Sequence, residues 1–302
     1  MAVNDVFHRQ RRPFGHERFA GPGCSRWLLL ACTLLVGTVQ AGKLSDVGAI
    51  PHLDERGRAA YVEFLRAPHG RAFVIAPGGT WAWRAEMDSG EAALEAALED
   101  CRRRTEQRCV AYAVDDEVVF DAGAWVRSWG PYATRADAAR APVGVKRGQR
   151  FPDLMLTDPA GKPRKLSDFR GQVVVVHFWG SWCPHCIKEL PDMQRLYAGL
   201  RNSKDIRFVL ISVREPFSLS RQWARQHKLD LPLYGGGPSA EKAGGFELAG
   251  GGTIRDRDLA RVFPTTHVLD KHGVAVFTQT GPVARWAELA PFLRDTAARS
   301  GR

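Results

Sequence analysis

The chain has 302 residues, 44% of them hydrophobic and 25% charged, with a formal net charge of +10. That composition excludes a disordered or fibrous chain, and the length suits two domains. The positive charge fits an acidic partner or an anionic surface, although an Arg-rich composition is the simpler source. Without a basic stripe interleaved with aromatic residues, nucleic acid is not an expected partner.

Residues 1–41 read as an export signal. Arg9, Arg11, Arg12, Arg18 and Arg26 form a basic leader. Trp27 to Val39 is an apolar run too short to span a bilayer comfortably. Val39-Gln40-Ala41 then offers a small-residue cleavage site. Left uncleaved, the same segment would anchor the chain to a membrane. The expected compartment is the periplasm. Cysteine usage agrees: Cys24 and Cys32 fall within the leader, which leaves the pairs Cys101/Cys109 and Cys183/Cys186. An even number suits an oxidising compartment.

Residues 42–122 read as a small α+β domain. Gly57 to Arg66 suits a short helix and Arg71 to Ala76 a strand. Pro77-Gly78-Gly79-Thr80 is a turn, and Trp81 to Met87 alternates as a second strand. Asp88 with Glu91 resembles a capping box that opens a helix running to about Arg104. Cys109 to Val114 and Val118 to Phe120 are strands around Asp115-Asp116. A ββαββ unit of this size has a thin core and gains from a staple. A disulfide between Cys101 and Cys109 would close a short loop and contribute about 2–3 kcal/mol. Free thiols or metal binding are the alternatives, though two Cys without nearby His make a poor metal site. The segment resembles a family of small secreted domains of unknown function, through Arg71 to Ala76, the Ala-rich helix and the run from Cys101 to Val114. That resemblance assigns no chemistry. Residues 123–147 read as a linker from which Trp125 and Trp129 pack back.

Residues 148–302 change pattern. Phe151 to Pro163 suggests a hairpin, and Val173 to Trp179 is a continuous apolar run typical of a strand buried on both faces. A helix is predicted from Cys186 to Leu200, a strand from Ile206 to Val213 and a helix from Ser218 to His227. Strands over Thr266–Leu269 and Val274–Thr278 and a helix over Ala284–Ala298 follow. This order needs an α/β fold with a parallel pair and an antiparallel hairpin. The glycines of Gly235-Gly236-Gly237, Gly244-Gly245 and Gly250-Gly251-Gly252 predict a flexible loop, either a lid or a tolerated insertion.

Cys183-Pro184-His185-Cys186 stands where the buried strand meets a helix. A helix N-terminus favours a thiolate, so Cys183 is the expected nucleophile and Cys186 the resolving thiol. A lone CxxC also suits half a zinc site or a structural bridge. No second CxxC and no HxxxH follow, so no metal is expected.

The flanks carry more. Phe178-Trp179-Gly180-Ser181-Trp182-Cys183-Pro184-His185-Cys186 resembles the active-site run of the thioredoxin superfamily. Leu166 to Gly171 before it and Lys188-Glu189-Leu190-Pro191 after it are similar to the TlpA/ResA-like branch of extracytoplasmic thiol–disulfide oxidoreductases. Phe263-Pro264-Thr265-Thr266 resembles the loop in which that superfamily places a cis proline facing the cysteines. The resemblance implies a thioredoxin-like fold, a central mixed sheet flanked by helices, preceded here by the small α+β domain. It implies a buried acid at Glu189 that shuttles the resolving thiol's proton. It also implies a substrate groove shaped by Trp182, Pro184, His185, Phe263, Pro264 and Thr265, and a redox-active Cys183–Cys186 disulfide. No cofactor is implied.

His177, six residues before Cys183, occupies the position of thioredoxin's buried Asp. It is read as a satisfied core histidine rather than as a residue that tunes Cys186. The scaffold is that of reductases, and a reductase is the expected activity. The Pro-His dipeptide is that of strongly oxidising DsbA-type proteins, so an oxidase or isomerase is the alternative. A non-catalytic binding protein on the same scaffold is the rival from another class. The expected partners are client proteins carrying disulfides or thiols, and a membrane or periplasmic electron donor or acceptor.

Overall fold

The structure is a computed structural model and describes residues 43–241 and 245–301. The export signal expected over residues 1–41, with Cys24 and Cys32, and also Gly244, lie outside the described residues.

After a 3-10 turn at Val47–Ala49, α1 (Glu55–Arg66) is capped by Asp54, whose carboxylate accepts the Gly57 N–H at 2.8 Å. β1 (Ala72–Ile75) and β2 (Trp81–Arg84) form a hairpin over the turn at Pro77–Thr80, where Gly78 and Gly79 both have positive φ. α2 (Gly90–Arg104) starts one residue later than an Asp88 cap would place it. Ser89 is the cap, its Oγ accepting the Ala92 N–H at 3.1 Å. β3 (Val110–Val114) and β4 (Glu117–Val118) complete an antiparallel sheet of order β2-β1-β3-β4. Alternation along β1 splits its side chains between two cores. Phe73 and Ile75 join Tyr61, Phe64 and Tyr112 on one face, while Val74 meets Ala97 and Cys101 on the other. Cys101 and Cys109 are joined by a disulfide.

The stretch expected as a linker holds two short helices, α3 (Ala122–Arg127) and α4 (Arg135–Arg140). Trp125 and Trp129 are buried there. They continue a file of ring contacts that runs Tyr61, Tyr112, Phe120, Trp125, Trp129, Phe292, Phe277, with centroids 5.5 to 6.4 Å apart.

The hairpin β5 (Met155–Thr157) and β6 (Pro163–Lys165) leads through a 3-10 turn, Leu166–Phe169, into β7 (Val173–Trp179), which is buried along its whole length. Then come α5 (Pro184–Leu200), β8 (Ile206–Ser212), α6 (Phe217–Gln226), β9 (Leu233–Gly235) and α7 (Pro238–Glu241). A small hairpin of β10 (Phe246–Glu247) and β11 (Thr253–Ile254) and the single turn α8 (Asp256–Leu259) precede β12 (Thr265–Leu269) and β13 (Ala275–Thr280). A 3-10 turn at Trp286–Leu289 passes into α9 (Ala290–Arg299). The sheet order is β13-β12-β7-β8-β9-β5-β6, with β7, β8 and β9 parallel and the outer pairings antiparallel. This is the mixed α/β architecture of a thioredoxin-like fold.

Among the described residues, part of the Gly-rich stretch is built into this layer. Gly235 lies in β9, and Gly236 lies so close to Phe246 that an added Cβ would sit 2.2 Å from the ring. Gly251 and Gly252 take positive φ at the tip between β10 and β11. At these positions glycine meets demands of packing and turn geometry.

Candidate active site

The Val173–Trp179 strand carries the chain to the carboxyl edge of the parallel strands, where the first turn of α5 begins. Cys183 is the N-cap of that helix, and its Sγ accepts the Cys186 N–H at 3.2 Å. Pro184 occupies the first helical turn, where a missing N–H is harmless. The two sulfurs are bonded to each other. Cys186 is completely buried and Cys183 nearly so, while Trp182, Pro184 and His185 are exposed around them. The helix therefore aims N–H dipoles at the outer sulfur, which is the arrangement that favours a thiolate there.

Glu189 lies one helical turn beyond Cys186 and is buried. Its Oε2 accepts two hydrogen bonds, from the Val283 N–H at 2.9 Å and the Trp286 Nε1–H at 3.0 Å. Its Oε1 has no hydrogen-bond partner and lies 3.5 Å from Nε2 of His177, which also has none. Burial pushes the Glu189 carboxyl up to about 8, against the lowering effect of those two donors. Burial also pushes His177 down to about 3. At neutral pH both groups are therefore mainly neutral, and the contact is one between two neutral groups rather than an ion pair. Since Oε2 is occupied as an acceptor, the proton belongs on Oε1, facing the imidazole. His177 Nδ1 shares a hydrogen bond of 2.9 Å with Thr266 Oγ1, across the β7–β12 pairing. The core-histidine reading of His177 holds on that side. It misses the side that faces Glu189.

Around the cysteines, Trp182 and Phe263 meet edge to face with centroids 5.6 Å apart. The Trp182 indole donates to the Val213 carbonyl at 3.0 Å. The Arg214 guanidinium lies 4.9 Å from the Phe263 ring, and its Nε is 2.7 Å from Asp256 Oδ2. The Phe263–Pro264 peptide is cis, and the Pro264 carbonyl accepts the Gly281 N–H at 2.8 Å. Thr265 turns its hydroxyl onto the Val262 carbonyl at 2.6 Å. Below the rim, the buried Glu215 carboxylate accepts from the Ser181 N–H (2.8 Å), the Ser181 hydroxyl and the Ser220 hydroxyl (2.7 Å). It ties the loop before Cys183 to α6.

Sequence reasoning missed Glu215, Arg214, Asp256, Val283 and Trp286. Glu215 and Arg214 stand directly after the β8 strand, the carboxyl end from which an open α/β sheet supplies site residues, so their position was a usable signal. Nothing in the sequence brings Val283 and Trp286 to Glu189. Among the described residues no group of His, Cys, Asp or Glu is arranged to hold a metal.

Residues 147–276 match the AhpC/TSA family model. The chain is 35% identical over 91 residues to the thiol-disulfide oxidoreductase ResA of Geobacillus kaustophilus, covering 30% of this chain and 52% of that protein. It is 26% identical over 165 residues to ResA of Geobacillus thermodenitrificans, covering 51% of this chain and 80% of that one. The chain thus spans about half the length of the first of these relatives. The crystal structure of StoA from Bacillus subtilis is similar at 21% identity with a TM-score of 0.37, over 48% of this chain and 98% of that one.

Proposed function

We propose that this chain, which carries a thioredoxin-like domain in the region matching AhpC/TSA, residues 147–276, is an exported thiol–disulfide oxidoreductase acting on protein disulfides. The observation that carries the proposal is the junction itself. Cys183 caps α5 with the Cys186 N–H on its sulfur, and one turn further in stands a buried acid that titrates close to a thiol.

In the reducing direction the Cys183 thiolate attacks one sulfur of a client disulfide. A mixed disulfide forms and one client thiolate leaves. Cys186 then loses its proton to Glu189 in its ionised form, the minority form at neutral pH, and attacks Cys183 Sγ. The Cys183–Cys186 bond forms, the second client thiolate leaves, and two electrons have passed to the client. A base that titrates at about 8 is well matched to a thiol near 8.5. A donor dithiol restores the reduced pair by the reverse sequence. Trp182, Pro184, His185, Phe263, Pro264 and Thr265 line the groove in which the client strand lies. With the Pro264 carbonyl taken by Gly281, backbone pairing to that strand falls to the Phe263 side.

Reduction is the favoured direction, because the flanks of the CxxC run resemble those of reductases; Glu189 as a proton shuttle serves exchange in either direction. His185 supports a second reading, an oxidase or isomerase, since an imidazolium beside Cys183 stabilises the reduced pair and raises the potential. Equilibration with glutathione separates the two readings. A potential near about −120 mV would overturn the reductase assignment. Export rests on the leader composition and on the pairing of all four remaining Cys in two disulfides. Among the described residues no helix is long and apolar enough to cross a membrane.

The decisive experiment is insulin reduction by the wild type and by Cys183→Ser, with Cys186→Ala used to trap clients as mixed disulfides on Cys183. Activity confined to the wild type, with client adducts on the Cys186→Ala protein, is expected. A wild type without activity would leave a non-catalytic binding protein as the correct reading.

A further inference from the structure

The N-terminal sheet touches the thioredoxin-like part at the segment that grips the buried acid. Residues Gly281–Trp286 form a strap between β13 and the 3-10 turn before α9. Successive N–H groups of the strap point in opposite directions. The Gly281 N–H donates to the Pro264 carbonyl at 2.8 Å and the Val283 N–H to Glu189 Oε2 at 2.9 Å. The next N–H, of Ala284, points outward and donates to the Gly78 carbonyl, in the β1–β2 turn, at 3.1 Å. The Trp286 N–H then returns to α5, donating to Asp192 at 2.7 Å.

The fit at the turn is tight. A methyl group on Gly79 would lie 2.5 Å from Ala284 Cβ and 3.1 Å from the His52 carbonyl. A second tie holds β13 just ahead of the strap. Gln107, buried in the loop closed by the Cys101–Cys109 bond, donates its Nε2–H to the Thr278 carbonyl at 2.9 Å.

We infer that the N-terminal domain is a positioning element for the active site: its Gly78–Gly79 turn and Gln107 hold the strap in register, and the strap holds the Glu189 carboxyl. This rests on the oxidoreductase reading above. The two donors on Oε2 favour the carboxylate form, so a strap that slips outward makes Glu189 a weaker acid. The titratable groups beside Glu189 are His177 on β7 and, from its own helix, Asp192; Cys186 stands one turn before it and titrates once the disulfide is reduced. The strap brings only N–H groups to it, because Arg285 is paired with Glu288.

The test uses the full chain with Gly79→Ala, which crowds the turn off the strap, and Gln107→Met, which keeps bulk but removes the donor. Exchange with a small disulfide is followed from pH 5 to 10 in each variant, and again with Glu189→Gln added. Either variant should move the ionisation that governs exchange upward by about one pH unit. In the Glu189→Gln background neither should change the profile, because the effect runs through that carboxyl. Gln107→Met leaves every backbone conformation allowed, so it answers even if Gly79→Ala fails to fold. An unmoved ionisation in Gln107→Met, or an equal change of rate in both backgrounds, would overturn the inference. Loss of exchange in the wild type would instead sink the oxidoreductase reading.

Discussion

The Oε1 of Glu189 and the Nε2 of His177 face each other at 3.5 Å inside the protein, each without another hydrogen-bond partner. Both groups are pushed toward their neutral forms, in opposite directions on the pH scale. The pair therefore leaves a signature in stability as well as in rate.

For Glu189 the folded value, about 8, lies above the ordinary 4.5. The unfolded chain loses this proton first, so the group's stabilising contribution is complete below about pH 4.5 and is lost as pH rises to 8. Glu189→Gln should abolish that decline, which is on the order of 4 kcal/mol in total. Urea unfolding of the oxidised protein at pH 5 and pH 8.5 measures it. The same variant should slow exchange by about 100-fold and flatten its dependence on pH between 5 and 9. A rate profile identical to the wild type would remove Glu189 from the mechanism.

His177 shows the reverse sign. Its folded value, about 3, lies below 6.5. Its contribution is complete above about pH 6.5 and is lost as pH falls toward 3. His177→Gln should reduce acid sensitivity in that window while leaving the alkaline slope of Glu189 in place. Denaturation midpoints at pH 4 and pH 7 compare the two.

Glu215 should matter through the loop it holds. Glu215→Ala leaves the buried Ser220 hydroxyl and the Ser181 N–H without their acceptor, at a cost of about 2–4 kcal/mol. Cys183 would then sit on a looser loop, and kcat/KM should fall by about tenfold. A thermal melt with parallel insulin reduction checks both. A stability loss without a change in kcat/KM would confine Glu215 to a structural role.

Replacing Cys101 and Cys109 by Ser removes a cross-link that spans eight residues of sequence. The expected loss is about 2–3 kcal/mol. The Cys183–Cys186 pair should still exchange. Guanidinium unfolding read by tryptophan fluorescence gives the first quantity and insulin turnover the second.

Much of the framework was legible because its signals are local. Val173 to Trp179 reads as one buried strand and forms one, since a strand covered on both faces needs no alternation. Glu189 could be singled out three residues after Cys186 by resemblance, and its burial is visible only in three dimensions. The packing role of Gly236 was not legible, because glycine has the same letter whether it loosens a loop or makes room for Phe246. The capping signal at Asp88 misled for a different reason: Asp88 and Ser89 are both good caps, and backbone conformation selected the second. His177 against Glu189, and Val283 against the same carboxyl, join residues 12 and 94 positions apart. Neither propensity nor periodicity reaches the longer of these distances.

The file of rings from Tyr61 to Phe277 has a practical consequence. It crosses from the N-terminal sheet through Trp125 and Trp129 into the packing of α9 as a continuous run of ring contacts. A shortened protein beginning near residue 148 would carry Phe277 and Phe292 stripped of these neighbours, a greasy scar prone to aggregation. The same continuity predicts cooperative melting: calorimetry of the intact chain should show one endotherm whose van't Hoff and calorimetric enthalpies agree.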